Sequence, residues 1–361
     1  MHQNAPQNKP HPPFSATFTP SLPELINQLN CTIALSTYQA GKVVFVSAKN
    51  DDDLVQLPRS FPNAMALGVD GNRFAVASGS DVTVLAHEPG LAPRYPGQPG
   101  VYDSLFVPRA RYYTGELDLH GLEWGPQGLW GVNTLFSCLC MIDGRYSFTP
   151  VWRPSFVSAL APEDRCHLNG MAMDQGSPVW VTALGRGDAA RSWRETINSG
   201  GVLMHVPTGE IVAAGLAMPH TPRLIDGRLF VLFSSTGEIA LFDPAAGKYE
   251  IVNRIPGFIR GMDRCGDYLF VAQSKIRKKS SAFSGLKIAD KATHSGFTVL
   301  HLPTGSIVSS FTYLSSVDEI FDLAVLPGLK RPGIVSPEKE STATPLVIPE
   351  TSFWAVKGPE Q

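Results

Sequence analysis

RCHLNGMAMD, residues 165–174, gives the clearest indication of the fold. It has the pattern of an inner strand of a β-propeller blade that begins after a polar loop. His167 and Asn169 are two residues apart, so on a strand their side chains point to one face. Five other stretches fit the same register, and the residue pairs at the six strand starts are Asn63 and Met65, Asp118 and His120, His167 and Asn169, His220 and Pro222, Phe258 and Arg260, and Glu319 and Phe321. If the six strands converge on one axis, these side chains form a ring at one end of it.

Internal repetition predicts the number of blades. The turn VPTGEIV (206–212) recurs as LPTGSIV (302–308), each time between two alternating apolar runs, as in a glycine-containing hairpin. The strand starts are 38 to 61 residues apart, close to the roughly 40–50 residues of a four-stranded blade. The last repeat supplies one strand, and the N-terminus offers three strands before the first repeat. We therefore predict an all-β, six-bladed propeller closed by pairing of the N-terminal strands with the last blade. A seven-bladed ring with an irregular blade in residues 88–116 is the alternative.

Composition and charge indicate the extent of the domain and the classes of partner to expect. The 361 residues include 33 Gly and 30 Pro, which suits many strands joined by turns. We expect a flexible N-terminal tail at 1–20, one propeller domain at 21–330 and a Pro-rich tail at 331–361. The formal net charge of −2 gives no support for a nucleic-acid partner. The sequence shows no signal-peptide pattern or long apolar run, and its five cysteines fit no zinc motif, so we expect a cytoplasmic protein without a membrane partner.

The predicted ring is rich in groups that bind metal ions or carry out acid–base chemistry. Imidazole nitrogens and carboxylate oxygens from different strands can converge on one cation, which could activate a water or polarise a carbonyl. The sequence predicts a divalent metal ion, such as zinc, iron, manganese or calcium, and the candidate ligands are Asp118, His120, His167, His220 and Glu319. The candidate catalytic or substrate-orienting residues are Arg260, Asn169 and Glu319; Arg suits a carboxylate or a phosphate. Alternatively, these groups satisfy strand ends or bind channel waters.

Two long loops, residues 185–199 and 275–295, should lie over the same mouth. They link second to third strands, and these links open on the face where the inner strands begin. Their basic side chains could attract an anion, although we interpret Lys278 and Lys279, next to Arg277, as a solvated surface.

These observations leave three functions open. The first is a metal-dependent hydrolase or lyase that acts on a small anionic substrate, which predicts ligand-range distances among the ring side chains. The second is a non-catalytic module that binds a small molecule or peptide, which predicts a mouth lined by Arg and aromatic residues without a closed coordination shell. The third is a scaffold, which predicts a plugged channel and an exposed apolar patch elsewhere.

The sequence resembles a bacterial family called domain of unknown function 4915, whose members are predicted to be β-propellers. The resemblance covers most of residues 14–330 and implies the fold and its extent, but no activity. The matching stretches are STYQAGK (36–42), LWGVNTLFSCL (129–139), VWRPSFVSALAPEDRCHLNGMA (151–172), VTALGR (181–186), MPHTPR (218–223), PGFIRGM (256–262) and DEIFDLAVLPG (318–328).

Two shorter likenesses concern the ring itself. HLNGMA (167–172) is similar to the Asn-Gly strand start of the gluconolactonase and senescence-marker group, six-bladed enzymes that bind a divalent cation and hydrolyse lactones or esters. That likeness implies that Asn169 is a ligand and Glu319 its partner. The three histidines are more similar to the three-histidine zinc site of the peptide-amidating lyase propellers.

Overall fold

The computed structural model of the chain describes residues 11–276, 283, 285–338 and 340–355, and this part folds as a six-bladed β-propeller. It contains the short helix α1 (Leu22–Gln28) and 3-10 turns at Pro89–Arg94, Ser192–Thr196 and Glu340–Ala343. The strands before the second blade are β1 (Ala16–Phe18), β2 (Cys31–Thr37), β3 (Lys42–Ala48), β4 (Leu54–Ser60), β5 (Leu67–Val69), β6 (Arg73–Ala77), β7 (Asp81–His87) and β8 (Ser104–Tyr113). Those of the second and third blades are β9 (Leu119–Gly125), β10 (Gly128–Asn133), β11 (Cys138–Ile142), β12 (Thr149–Trp152), β13 (Leu168–Asp174), β14 (Ser177–Ala183), β15 (Gly201–His205) and β16 (Ile211–Leu216).

The remaining strands complete the ring and add a separate hairpin. In chain order they are β17 (Pro219–Ile225), β18 (Arg228–Phe233), β19 (Glu238–Asp243), β20 (Lys248–Arg254), β21 (Phe258–Cys265), β22 (Tyr268–Ser274), β23 (Gly296–His301), β24 (Ser306–Tyr313), β25 (Asp322–Pro327), β26 (Pro332–Ile334), β27 (Pro345–Ile348) and β28 (Thr351–Trp354). Blades 1 to 5 start at β5, β9, β13, β17 and β21, and each runs outward through four consecutive strands.

The ring closes as the sequence predicts. In the sixth blade the C-terminal strand β25 is innermost and pairs with β2, followed by β3 and β4. The pairing is antiparallel, from Cys31 opposite Pro327 to Ser36 opposite Asp322. Closure removes the exposed edges that an open array of blades would leave.

The segment from residue 88 to 116 belongs to the first blade, so the seven-bladed alternative is wrong. Its residues 104–113 form β8, which pairs with β7. The rest of the insertion is a turn that packs under the hairpin β27–β28, where the Trp354 indole donates to the Leu91 carbonyl oxygen at 2.9 Å.

Short strands lie in both segments that the sequence suggests are tails. β1 pairs with β24 and becomes the fifth strand of blade 5. β26 pairs in parallel with β8 and becomes the fifth strand of blade 1. Both strands cover backbone groups that an outer strand would otherwise leave unpaired.

The hydrophobic core is divided among the blade interfaces. Among the described residues, one buried apolar cluster lies between each pair of neighbouring blades. Between blades 6 and 1, for example, the Phe45 and Phe74 rings meet edge to face, with centroids 5.7 Å apart. Such packing fixes the angle between blades, and therefore the positions of the inner strands around the axis.

All five cysteines are free thiols; four are buried and Cys265 is half-buried. In the part of the chain that the structure describes, no helix has the length and apolar character required to cross a membrane.

Candidate functional site

The six inner strands begin around one cavity, which we call the axial cavity; β5, β13 and β25 reach it through residues that lie just before them. Its volume is about 230 Å³. Its polar lining consists of Asp118, His120, His167, His220, Arg260 and Glu319. Its other lining residues are Tyr38, Met65, Leu184, Met218, Phe258, Phe283 and Phe321. The structure thus brings together all the predicted site residues except Asn169.

The predicted register of blade 4 is wrong by two residues. Backbones with positive φ mark the strand starts at Asn63, Asp118, His167 and Met218, so His220 is equivalent to His120 and not to His167. A shift of two residues keeps every side chain on the same face of a strand, and alternation alone cannot detect it. For the same reason His220 still faces the axial cavity.

A hydroxyl directly after the second strand of blades 2 and 4 supports this register. The Thr134 hydroxyl donates to the Leu168 carbonyl oxygen of the next blade at 2.6 Å. The Ser234 hydroxyl likewise donates to the Ile259 carbonyl oxygen, at 2.5 Å. These bonds connect neighbouring blades just below the mouth.

His120 and His220 both bind these hydroxyls through Nδ1. The Nδ1 of His120 lies 2.8 Å from Thr134 Oγ1 and 3.0 Å from the carbonyl oxygen of Asp118. The Nδ1 of His220 lies 2.8 Å from Ser234 Oγ and 3.0 Å from the carbonyl oxygen of Met218. A carbonyl oxygen only accepts, so Nδ1 is the donor in both rings and the lone pair of the neutral ring lies on Nε2.

His120 and His220 are held in the neutral form by burial. Burial lowers the pKa of His120 to about 4, and the positive charge of Arg260 and the neighbouring His167 act in the same direction. Burial also lowers the pKa of His220 well below its usual value, again with help from Arg260. At neutral pH, each of these two imidazoles therefore offers an acceptor at Nε2.

Asp164 orients the third histidine. The His167 Nδ1 lies 2.9 Å from Asp164 Oδ1, and the Trp193 indole donates to Asp164 Oδ2 at 2.9 Å. The Trp193 ring also packs on the His167 ring, with centroids 4.3 Å apart. Trp193 belongs to the loop at 185–199, so this covering loop is built into the wall of the site.

Arg260 is fixed by three contacts. Its Nε donates to the Phe321 carbonyl oxygen and its Nη2 to Glu319 Oε1, both at 3.0 Å. The guanidinium also stacks on the Phe321 ring, 3.8 Å from the ring centroid. Within the described part of the chain, Nη1 has no hydrogen-bond partner, so one face of the fork stays available to a ligand.

Asn169 lies outside the axial cavity, so its predicted role at the ring is not supported by its position. It is 3% exposed. Its Oδ1 accepts from the Thr182 hydroxyl at 2.7 Å, and its Nδ2 donates to the Pro219 carbonyl oxygen at 3.0 Å. The amide thus extends the hydroxyl bridge from blade 3 to blade 4. At the equivalent positions of blades 2 and 4, the imidazoles of His120 and His220 extend past the hydroxyl and reach the axial cavity. The shorter Asn169 side chain ends at the Thr182 hydroxyl.

The five predicted metal ligands all line the axial cavity. Among the residues that the structure describes, no group of three or more His, Cys, Asp or Glu side chains is arranged to hold a metal ion. The His120 and His167 rings do meet edge to face, with centroids 4.8 Å apart. Of the basic loop residues, Arg277, Lys278 and Lys279 lie outside the described residues.

Tyr38 is a lining residue that sequence reasoning missed. It lies in the turn between β2 and β3 of the closing blade, and its ring faces that of Phe321 at 6.3 Å. Links between second and third strands open on the face where the inner strands begin, and this short turn is such a link. The rule that predicts the position of the long loops therefore also predicts that Tyr38 lies at the mouth.

A second polar chamber, the deep cavity, lies further along the inner strands. Glu123, Arg223 and Asp263 line it, and Arg223 Nη1 lies 2.9 Å from Glu123 Oε1. Asp263 and Asp322 accept backbone N–H groups from neighbouring inner strands, at 2.7 Å from Val325 and 2.9 Å from Leu67. Burial raises the pKa of Asp322 to about 6. These bonds tie the strands together below the mouth.

Comparison with known proteins supports the fold and assigns the family. The family described as domain of unknown function (DUF4915) matches residues 20–335, and the chain belongs to this family. No curated protein matches the chain.

Two of the solved structures that match the chain illustrate the similarity. A chain in the crystal structure of a nidogen/laminin complex has a TM-score of 0.53 and 11% sequence identity, over 82% of this chain and 99% of that chain. The Neurospora crassa Pan2 WD40 domain has a TM-score of 0.39 and 11% identity, over 68% of this chain and 65% of that chain. At this identity, the similarity to the nidogen/laminin chain shows the propeller fold alone.

Proposed function

We propose that this DUF4915 propeller binds a small hydroxylated organic acid in the axial cavity. The observation that carries the proposal is the convergence of three imidazoles, each held through Nδ1, with the free Nη1 of Arg260. His120 and His220 accept hydrogen bonds at Nε2 from hydroxyl or amine groups of the ligand. Arg260 donates to its carboxylate.

The donors and acceptors of the cavity favour this ligand class. Besides the Nε2 atoms of His120 and His220, the carboxylates of Asp118 and Glu319 accept hydrogen bonds. Among the described lining residues, a ligand that carries several donors is therefore favoured. Arg260 and Glu319 form an ion pair at 3.0 Å. The attraction for an acid therefore comes from one oriented guanidinium edge rather than from a net positive cavity.

The size and walls of the cavity favour a small molecule over a peptide. The volume of about 230 Å³ is below the ~300–1,000 Å³ of sites for drug-sized ligands. Leu184, Met218 and Phe258 belong to the apolar cluster that the covering loops form with the mouth, so the walls are packed before a ligand arrives. A preformed wall reduces the entropy that binding costs.

A second candidate is the metal-dependent hydrolase or lyase. One observation favours this candidate: an acceptor at Nδ1 orients each histidine, as is common for histidines that ligate metals. His120, His167 and His220 have suitable donor chemistry for zinc or iron. Their observed positions do not form a metal-binding group, so we derive no catalytic step from a metal.

Calorimetric titration with short 2-hydroxy acids and polyhydroxy acids tests the proposal. We expect millimolar or tighter binding to the native protein and at least about tenfold weaker binding to Arg260→Gln, because a charge-assisted hydrogen bond contributes roughly 1.5–3 kcal/mol. Arg254→Gln is the matched control, because it also breaks an Arg–Glu pair, with Glu238 at 2.8 Å, but on an exposed outer strand.

Two results would contradict the proposal. One is the absence of binding across the panel at millimolar concentration. The other is equal loss of affinity in Arg260→Gln and Arg254→Gln. Parallel titration with Zn²⁺ decides the second candidate: a stoichiometric binding that disappears in the His167→Ala, His220→Ala double variant would favour the metal enzyme.

A further inference from the structure

A third chamber, distinct from the deep cavity, opens off the axial cavity, and we call it the side cavity. Its volume is about 220 Å³, and it shares Phe258, Arg260, Phe283 and Glu319 with the axial cavity. Its other lining residues are Ser274, Lys275 and Ile276. The two chambers therefore meet across the Arg260–Glu319 ion pair.

The two polar residues that line the side cavity alone are paired within the protein. The Ser274 hydroxyl donates to the Ile320 carbonyl oxygen at 3.1 Å and accepts from the Ile320 N–H at 2.9 Å. Lys275 Nζ lies 2.7 Å from Asp318 Oδ1. Away from the shared Arg260–Glu319 pair, a group that enters this chamber therefore meets paired polar groups, in contrast to the open Nε2 acceptors of His120 and His220 in the axial cavity.

Among the residues that the structure describes, the other lining residues of the side cavity are apolar. The Phe258 and Phe283 rings meet edge to face with centroids 5.9 Å apart, and Ile276 packs in the same cluster. An apolar cavity of ~150 Å³ accommodates benzene in a protein core. The side cavity is thus large enough for a phenyl group or a branched alkyl group.

We infer that the ligand is a 2-hydroxy acid whose apolar side chain, aryl or branched alkyl, occupies the side cavity while its polar head occupies the axial cavity. This inference rests on the proposed function, since it requires the acid head to bind at Arg260. The carboxylate lies at the junction of the chambers, the hydroxyl faces the histidines, and the side chain extends toward Ile276.

A series of 2-hydroxy acids with hydrogen, methyl, isobutyl and benzyl side chains tests the inference by calorimetry. All the acids share the same hydroxy-acid head, so the affinity of the smallest acid measures the binding of the head. Each methylene buried in an apolar chamber should tighten binding about fourfold. The isobutyl and benzyl acids should therefore bind at least about tenfold more tightly than the methyl acid.

Two variants of one residue localise the effect. Ile276→Trp fills the side cavity and should abolish the gain along the series, while it leaves the affinity of the smallest acid unchanged. Ile276→Ala enlarges the chamber and should keep the gain. Thermal melting of both variants shows whether each is folded.

The outcomes separate the inference from the proposed function. If the smallest acid binds and affinity stays flat along the series, the inference is wrong and the axial site stands. If the gain persists in Ile276→Trp, the side chain lies elsewhere and the inference is again wrong. If no member binds, the proposed function fails and the inference falls with it.

Discussion

Lowering the pH from 7 to 4.5 should cost the folded protein roughly 2 kcal/mol of stability through His120 alone. Burial lowers the pKa of His120 to about 4, whereas an unfolded histidine titrates near ~6.5. The unfolded chain therefore takes up the proton first as the pH falls. The contribution of His120 is complete above pH ~6.5 and is lost between there and pH ~4. Urea unfolding at both pH values measures the change.

His120→Gln is the control, because glutamine does not titrate. The variant should be less stable at both pH values through loss of packing, but its own change between pH 7 and 4.5 should be smaller by roughly 2 kcal/mol. The comparison is needed because Asp322, with its pKa raised to about 6, has the opposite effect: its raised value favours the folded state on acidification. An equal change in the free energy of unfolding in the two proteins would contradict the conclusion that His120 is buried and neutral.

Replacing Asn169 with Leu should destabilise the fold by about 3 kcal/mol. The substitution removes two buried hydrogen bonds and leaves the Thr182 hydroxyl and the Pro219 carbonyl oxygen without those partners. An unsatisfied buried polar group costs roughly 1–3 kcal/mol. Chemical unfolding measures the loss.

Thr182→Val provides the partner for a double-mutant cycle. Because Thr182 and Asn169 share one hydrogen bond, the double variant should lose less stability than the two single variants together. Native stability in Asn169→Leu, combined with loss of ligand binding, would contradict the structural role and restore Asn169 to the site.

The sequence predicts the blades well because each blade carries its own local signals. Glycine turns such as VPTGEIV and LPTGSIV lie between alternating apolar runs, and both become hairpins, β15–β16 and β23–β24. The unpaired last strand and the three early strands together predict closure. The fifth strands β1 and β26 could not be predicted, because three residues carry no periodicity and their pairing depends on a distant outer strand.

The candidate site is predicted in composition but not in register or geometry. Strand alternation brings the polar residues to one mouth, but it cannot distinguish His220 from a position two residues away. Strand alternation also gives Asn169 and His120 equivalent positions. Only the structure shows that the Asn169 side chain ends at a hydroxyl between blades, whereas the longer His120 side chain extends past the equivalent hydroxyl. Distances between groups on different inner strands depend on blade packing. The metal-binding arrangement therefore could not be tested from sequence.

The mouth presents the neutral imidazoles of His120 and His220, whose Nε2 lone pairs are open to a ligand. Long-range ¹⁵N–¹H correlation spectra of protein labelled at histidine nitrogen test this arrangement, since they report the tautomer of each ring. At pH 7 we expect His120 and His220 to carry hydrogen on Nδ1 only, and their Nε2 signals to shift when a 2-hydroxy acid is added. Hydrogen on Nε2, or doubly protonated rings at pH 7, would contradict it.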